Sequence, residues 1–417
     1  PRVLPGGQGV GRPSFPVIVQ PPETHAEPTA PMPPRMGDGV PARPTSRVWA
    51  ECDASAWAHN LRVLGDHVAP AEVAAVLKAN GYGLGARRAA EELAAAGIEY
   101  FAVSCLNEAL EIADLGVPVL ILGGSIPDES DRIIREGLTA TVSDLDMAAH
   151  LAARAVALGR QCRVHIKIDT GMGRLGFPVA AAKAPIRRIV AMDGLDVEGI
   201  YSHFAASGLH DEATAAQYTC LASLVNELAS EGVRFRYRHI ANSTAIAGIP
   251  YAARAPFNMV RSGLDLHGAH LSVIPRPYQT RPVLRALKTR LVSVRMLPRG
   301  ATVSYGRTYR VSRPSGERIG VAAVGYADGY PRCLSNQGHM LVHGRRCPVV
   351  GRVCMDYTML LLDEVPEAIA GDDVVVIGRQ GDSTISLGEV AREAETIPYE
   401  ILCSIGVRVQ RVYVNPE

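Results

Sequence analysis

Lys78 closes a short apolar run, AEVAAVLK over residues 71–78, and opens a glycine-rich turn, ANGYGLG over residues 79–85. An Ala- and Glu-rich stretch of helical character follows as far as Gly97. A strand covered on both faces is apolar throughout, so a cation at its end is costly unless it has a task. In α/β folds the strand ends are where chemistry is placed. A lysine there can lose its proton and attack a carbonyl to form a Schiff base. On this segment alone, an ordinary strand-end lysine is an equally good reading.

The surrounding chain supplies a scaffold for such a lysine. RVWAECD reads as a strand and ASAWAHNLRVLGDHV as a helix. Eight further strand-like runs follow: VAAVLK, YFAVS, VPVLILGG, LTATVSD, CRVHIKID, LDVEGIYSHF, RYRHIAN and NMVRSGLDLHG. Amphipathic stretches such as EATAAQYTCLASLVNELASEG separate most of them. This alternation predicts an α/β fold, a closed (β/α)8 TIM-type barrel with helices outside, over residues 46–281. A doubly wound open sheet is the alternative. The first strand, about residues 47–53, is free to join what comes later. From residue 282 to 417 the runs are strand-like with turn residues between them, which predicts a C-terminal all-β domain. One helix is expected there, SLGEVAREAE, with Ser386 as cap and Glu389 three residues on.

Composition narrows the partners. Lys and Arg total 43 against 42 Asp and Glu, a net charge of +1 over 417 residues. That balance argues against nucleic acid or an anionic membrane surface. No apolar run approaches the roughly 20 residues that span a bilayer. The eight cysteines include no CxxC pair, so no metal site is expected, and they read as buried free thiols of a reducing cytoplasm. His339 and His343 have no third ligand nearby. Residues 1–45 hold 12 of the 29 prolines and no hydrophobic periodicity, which predicts a disordered tail. The first residue is Pro1 rather than Met, and the expectation is a processed chain or a fragment.

The segment VLKANGYGLG resembles the cofactor-lysine signature of the alanine racemases, and other motifs follow in the family's order. They are VHIKIDTGMGRLG, YSHFA, HIANS, VRSGLDLHG, VSYGRTY, VGYADGYPR and VGRVCMD, and the resemblance runs from about Arg47 to Val414. It implies a barrel binding pyridoxal 5'-phosphate, a C-terminal β domain, and racemisation of alanine that supplies D-alanine for peptidoglycan. Lys78 would carry the cofactor and act as one base, and Tyr305 as the other on the opposite face of the substrate. A free phenol is protonated at neutral pH, so this second base needs nearby cations or a proton relay; His203 and Arg261 match the family's relay. Arg261 would face the pyridine nitrogen, and since arginine stays protonated it cannot pass that nitrogen a proton.

The same resemblance assigns phosphate capture to Asn242, Ser243, Gly263 and Leu264, with Tyr82 and Tyr399 completing the cup. Arg174 would bind the substrate carboxylate or the phenol region. Met355 would offer a backbone contact to substrate, and Tyr326 and Arg332 lie at the mouth. Lys167 is the position at which many relatives carry a carbamate that holds the arginine. Tyr305 would reach the lysine of a second subunit, which implies a head-to-tail homodimer with composite sites. Two positions depart from the family pattern. Leu84 replaces a histidine and His267 a tyrosine, which bears on packing and substrate range. The alternatives are a serine or broader-specificity racemase and, in a different class, a non-catalytic pyridoxal-phosphate-binding protein. The VSYG and VCMD segments count against the latter.

Overall fold

The computed structural model describes residues 44–206, 212–269 and 275–414. The tail expected over residues 1–45 lies outside them apart from its last two residues. Strand β1 (Val48–Asp53) leads into helix α1 (Ser55–Val68), and eight parallel strands follow. They are β2 (Glu72–Val76), β3 (Tyr100–Val103), β4 (Val119–Gly124), β5 (Thr139–Val142), β6 (Cys162–Asp169), β7 (Leu195–Tyr201), β8 (Tyr237–Asn242) and β9 (Met259–Ser262). Each pairs with the next in chain order, and β9 closes the ring on β2 with Arg261 opposite Ala74. The intervening helices are α2 (Ala86–Ala95), α3 (Leu106–Leu110), α4 (Ser130–Arg135), α5 (Leu145–Ala157), α6 (Lys183–Val190), α7 (Glu212–Ser230) and α8 (Ser243–Gly248).

The two-residue period of a strand explains why these runs are apolar on both sides. Ala74, Val76, Tyr100, Ala102, Leu120, Tyr237 and Met259 form one buried cluster, and their sequence neighbours Val73, Ala75, Phe101, Val103, Val119 and Ile121 join a separate, larger core. In β6 the positions two apart, His165 and Lys167, are both buried and polar. The β2 strand stops at Val76, so Lys78 is not its last residue but the first of the turn beyond it.

The C-terminal part is built on β10 (Leu284–Leu297), a 14-residue strand that pairs antiparallel with β11 (Glu317–Ala322) and with β15 (Asp373–Gln380). Strands β12 (His339–Val342), β13 (Arg345–Pro348), β14 (Thr358–Leu361) and β16 (Gln410–Val414) also belong to this sheet. Strand β1 belongs here, antiparallel to β10 and parallel to β16. Helix α9 (Leu387–Glu393) is capped by Ser386 Oγ, which accepts from the Glu389 N–H at 3.0 Å. A second helix, α10 (Pro398–Cys403), starts on a proline whose missing N–H costs nothing at that position.

The cysteines depart from the expectation of a buried set. Cys52, Cys162 and Cys347 are buried, but Cys105, Cys220, Cys333 and Cys403 are exposed, and all eight are free. Cys105 follows β3 instead of lying inside it. Among the described residues no helix is long and apolar enough to cross a membrane. No group of three or more His, Cys, Asp or Glu among them could hold a metal, and His343 sits 2.9 Å from Asp372 instead.

Candidate active site

The turn after Lys78 is wound left-handed. Ala79, Asn80, Gly81 and Tyr82 have φ of 52°, 54°, 59° and 54°. Each non-glycine residue there costs about 1–2 kcal/mol, so the turn persists only because its surroundings hold it. Glu108 of α3 accepts the Ala79 N–H at 2.6 Å and the Ser104 N–H at 2.7 Å. Asn80 Oδ1 accepts the Ala86 N–H and so caps α2. From the β domain, Arg411 donates to the Gly83 carbonyl at 2.6 and 3.0 Å, and the Tyr413 hydroxyl donates to the Leu84 carbonyl at 2.9 Å. Helix α10 presses on Gly83 so closely that a Cβ there would lie 2.1 Å from the Leu402 carbonyl oxygen.

Lys78 opens the barrel mouth toward solvent, yet desolvation and then the nearby Arg174 charge lower its pKa from the ordinary lysine value. Lys167, only 4% exposed, is brought down to about 7 by burial, with Arg261 the next cause. Its ammonium lies 4.9 Å above the Tyr201 ring and donates to the Ile168 carbonyl at 3.2 Å. The guanidinium of Arg261 sits 5.2 Å from the same ring, a shared cation–π platform. Burial lowers Arg261 to about 10, which leaves it cationic at neutral pH. The nearby carboxylate, Asp169, is already committed: it accepts the N–H groups of Gly171, Met172 and Gly173 at 2.9–3.1 Å. These backbone donors hold it below the usual carboxylate range against the opposing effect of burial.

Arg261 also organises the barrel interior. It donates to His239 Nδ1 at 2.7 Å, to His203 Nδ1 at 3.0 Å and to the Ser202 carbonyl at 2.8 Å. A guanidinium only donates, so the ring proton of His239 is on Nε2, which lies 2.9 Å from His165 Nδ1. His165 Nε2 in turn lies 3.4 Å from Glu198, which accepts from Tyr100 at 2.5 Å. Burial raises the Glu198 carboxyl, but His165 and Tyr100 outweigh it and hold the group down at about 2. Burial and then the Arg261 charge push His203 down to about 2, so it is a neutral imidazole. Gly199 is needed beside this chain, because a Cβ there would meet the His165 ring at 2.6 Å.

The predicted phosphate residues fall together. The Gly263 N–H donates to Ser243 Oγ at 2.9 Å, and a Cβ at Gly263 would lie 2.2 Å from the Tyr82 hydroxyl. Tyr82 is buried, with its ring 4.9 Å from that of His267 and 5.9 Å from that of Tyr399. Leu264 is buried next to Gly263. The Oδ1 of Asn242 caps α8 at the Ala245 N–H, and its Nδ2 lies 3.4 Å from His203 Nε2. His267, the departure from the family pattern, accepts from the Trp57 indole at 3.0 Å, and burial lowers it to about 3. Backbone N–H and hydroxyl groups beside the cations of Lys78, Lys167, Arg174 and Arg261 suit an anionic cofactor and a substrate carboxylate.

Tyr305 and Met355 stand apart. Tyr305 is 72% exposed on the β domain. It follows Ser304, a non-glycine residue at φ 65°, whose hydroxyl donates to the Arg352 carbonyl at 2.6 Å. Met355 is exposed nearby in sequence to the anchored Asp356, which pairs with Arg408 at 2.8 Å. Glu108, His239, His165 and Glu198 were not singled out from the sequence. A glutamate at the start of a helix looks ordinary, but two histidines inside apolar strands carried a signal, since such runs seldom bury imidazoles without a partner.

A barrel that gathers cationic side chains about Lys78, with the β domain clamped onto the strained turn that follows it, fits an enzyme that handles an anionic ligand. The chain belongs to the alanine racemase family. The model for the alanine racemase N-terminal domain matches residues 52–270, and that for the C-terminal domain matches residues 284–413. An alanine racemase of Desulforamulus reducens is 40% identical over 375 residues, covering 88% of this chain and 99% of that protein. Alanine racemase 2 of Caldanaerobacter subterraneus is 38% identical over 381 residues, covering 89% and 95%. Among solved structures, the Bacillus anthracis alanine racemase with bound L-Ala-P has a TM-score of 0.82 at 32% identity, covering 89% of this chain and 96% of that one. The alanine racemase of Clostridium difficile 630 has a TM-score of 0.83 at 31% identity, covering 89% and 97%. The protein is thus an isomerase that racemises alanine with pyridoxal phosphate as cofactor.

Proposed function

We propose that Lys78 and the Tyr305 of a second copy are the two bases, placed on opposite faces of the α-carbon in a head-to-tail homodimer with two composite sites. The observation that carries this is the amine of Lys78: it is held on an over-constrained turn and pushed toward its neutral form by burial and Arg174. A neutral amine can accept the α-proton; an ammonium cannot. When bound, pyridoxal phosphate supplies an electron sink for the carbanionic charge left at the α-carbon. Ser243, Gly263, Leu264, Tyr82 and Tyr399 would hold the phosphate, and Asn242 contributes by capping α8. Arg174 orients the substrate carboxylate.

Arg261 would face the pyridine nitrogen as a fixed cation, and His203 accepts from Arg261 as a neutral ring. Proton exchange at Tyr305 is the task left to that neighbourhood. Lys167 is the carbamate site: an amine with a pKa of about 7 is about half unprotonated at neutral pH and can add carbon dioxide with release of a proton, and the resulting anion would lie among cations. Lysine rather than asparagine at 167 favours alanine over a broader substrate range. D-Alanine for peptidoglycan is the product used, and the free thiols, four of them exposed, suit a reducing cytoplasm.

The test mixes two dead variants. Lys78→Ala should lose the absorbance of bound cofactor and all turnover. Tyr305→Phe should keep the absorbance and lose most turnover. Unfolded and refolded together in equal amounts, they should recover roughly a quarter of wild-type sites, because half the dimers are mixed and each holds one intact pair. No recovery with dimers present would sink the composite site.

A further inference from the structure

Glu108 has two jobs, and only one of them is ordinary. It is the third residue of α3, and one carboxylate oxygen reaches back to the Ser104 N–H at 2.7 Å, close to the way a glutamate boxes in a helix start. The other oxygen crosses to a different βα unit and takes the Ala79 N–H at 2.6 Å, 29 residues away in sequence. Ala79 is the residue directly after Lys78 and the first of the left-handed run. Its N–H fixes the peptide plane through which the Lys78 backbone enters the turn. The remaining holds act further along, on Asn80, Gly83 and Leu84. Glu108 is therefore the side-chain hold nearest the lysine.

We propose that Glu108 is a positioning residue for Lys78, its carboxylate bridging the Ala79 and Ser104 N–H groups so that the lysine amine is aimed across the barrel mouth. This rests on the reading of Lys78 as the cofactor-bearing base. The negative charge of Glu108 also acts on the Lys78 amine, in the direction that favours its protonated form, and offsets part of the Arg174 effect. Loss of the carboxylate changes both the aim and the charge.

Glu108→Gln separates the two jobs. An amide keeps one acceptor oxygen, enough to serve the start of α3, while its NH2 cannot accept from the second N–H. The variant holoenzyme should retain cofactor absorbance and melt within a few degrees of wild type. Its kcat should fall roughly 10–100-fold with KM changed by less than about threefold, because a misaimed group loses turnover rather than binding. Hydrogen exchange in the peptide spanning residues 79–86 should speed up about tenfold, while α3 stays protected. Unchanged kcat together with unchanged exchange would overturn the proposal. Should the variant fail to fold, the wild-type holoenzyme still decides: an Ala79 amide exchanging at the rate of a free peptide overturns it. A protected Ala79 amide in a wild-type chain that does not racemise supports the clasp and counts instead against the roles given to Lys78.

Discussion

The segments carrying Lys78 and Tyr305 use the same device in opposite settings. Both place a side chain beside non-glycine backbone at positive φ, Ala79 and Asn80 in one case and Ser304 in the other. The lysine turn is gripped from three sides by Glu108, Arg411 and helix α10, all within one chain. The tyrosine turn is held at its base by the Ser304 hydroxyl and left open at its tip, where Tyr305 is mostly exposed. A group that works inside its own chain can be fixed by its own fold. A group meant for another copy, as proposed for Tyr305, would have to be rigid where it is rooted and free where it is offered.

Three substitutions break or sharpen that contrast. The largest effect is expected for Gly83→Ala. It adds a Cβ at φ +79°, 2.1 Å from the Leu402 carbonyl oxygen, and should cost about 3 kcal/mol of stability and much of the cofactor absorbance. Urea denaturation of the holoenzyme measures this; an unchanged midpoint means α10 does not hold the turn.

Lys167→Met tests the charge buried on the lysine side. The unfolded chain keeps a lysine proton up to about pH 10.5, whereas the folded chain without carbamate releases it at about 7. Folded protein therefore gains stability as pH rises through that window, by up to about 1.4 kcal/mol per pH unit. In carbon-dioxide-free buffer the methionine variant should lack that slope and be the more stable protein at pH 7. Equal slopes for both proteins would mean that the Lys167 charge is satisfied in the fold.

The smallest effect on stability is expected for Ser304→Gly. Relief of backbone strain opposes the loss of a hydrogen bond and the added freedom of glycine, so thermal unfolding should change by no more than about 1 kcal/mol. Turnover should still fall several-fold, because the root of Tyr305 loosens. Wild-type turnover in this variant would mean that rigidity at residue 304 is irrelevant to the reaction.

The barrel was legible because each of its strands is an apolar run of the right length, and the runs alternate with amphipathic stretches. The turn after Lys78 was legible only as a turn. Its glycines announce flexibility, but nothing in the types of Ala79, Asn80 and Tyr82 announces left-handed backbone, which is imposed by Glu108 and by residues more than 300 positions later. Tyr305 is invisible to periodicity and emerged through the ordered motifs around it. The chain from Arg261 through His239 and His165 to Glu198 needed four strands to be brought side by side. The separate polar residues in HIAN, VHIK and VEG gave no hint of their register.

Strand β1 lies between β10 and β16, so the barrel interrupts a sheet whose neighbouring strands come from either side of it in the chain. The eight-stranded ring is in effect a very long insertion, fastened at both of its ends into one hydrogen-bonded ladder. Loosening that ladder at residues 410–414 removes the Arg411 and Tyr413 contacts to the lysine turn in the same event. Damage to the outermost stitch of the fabric is thereby felt at the chemical centre.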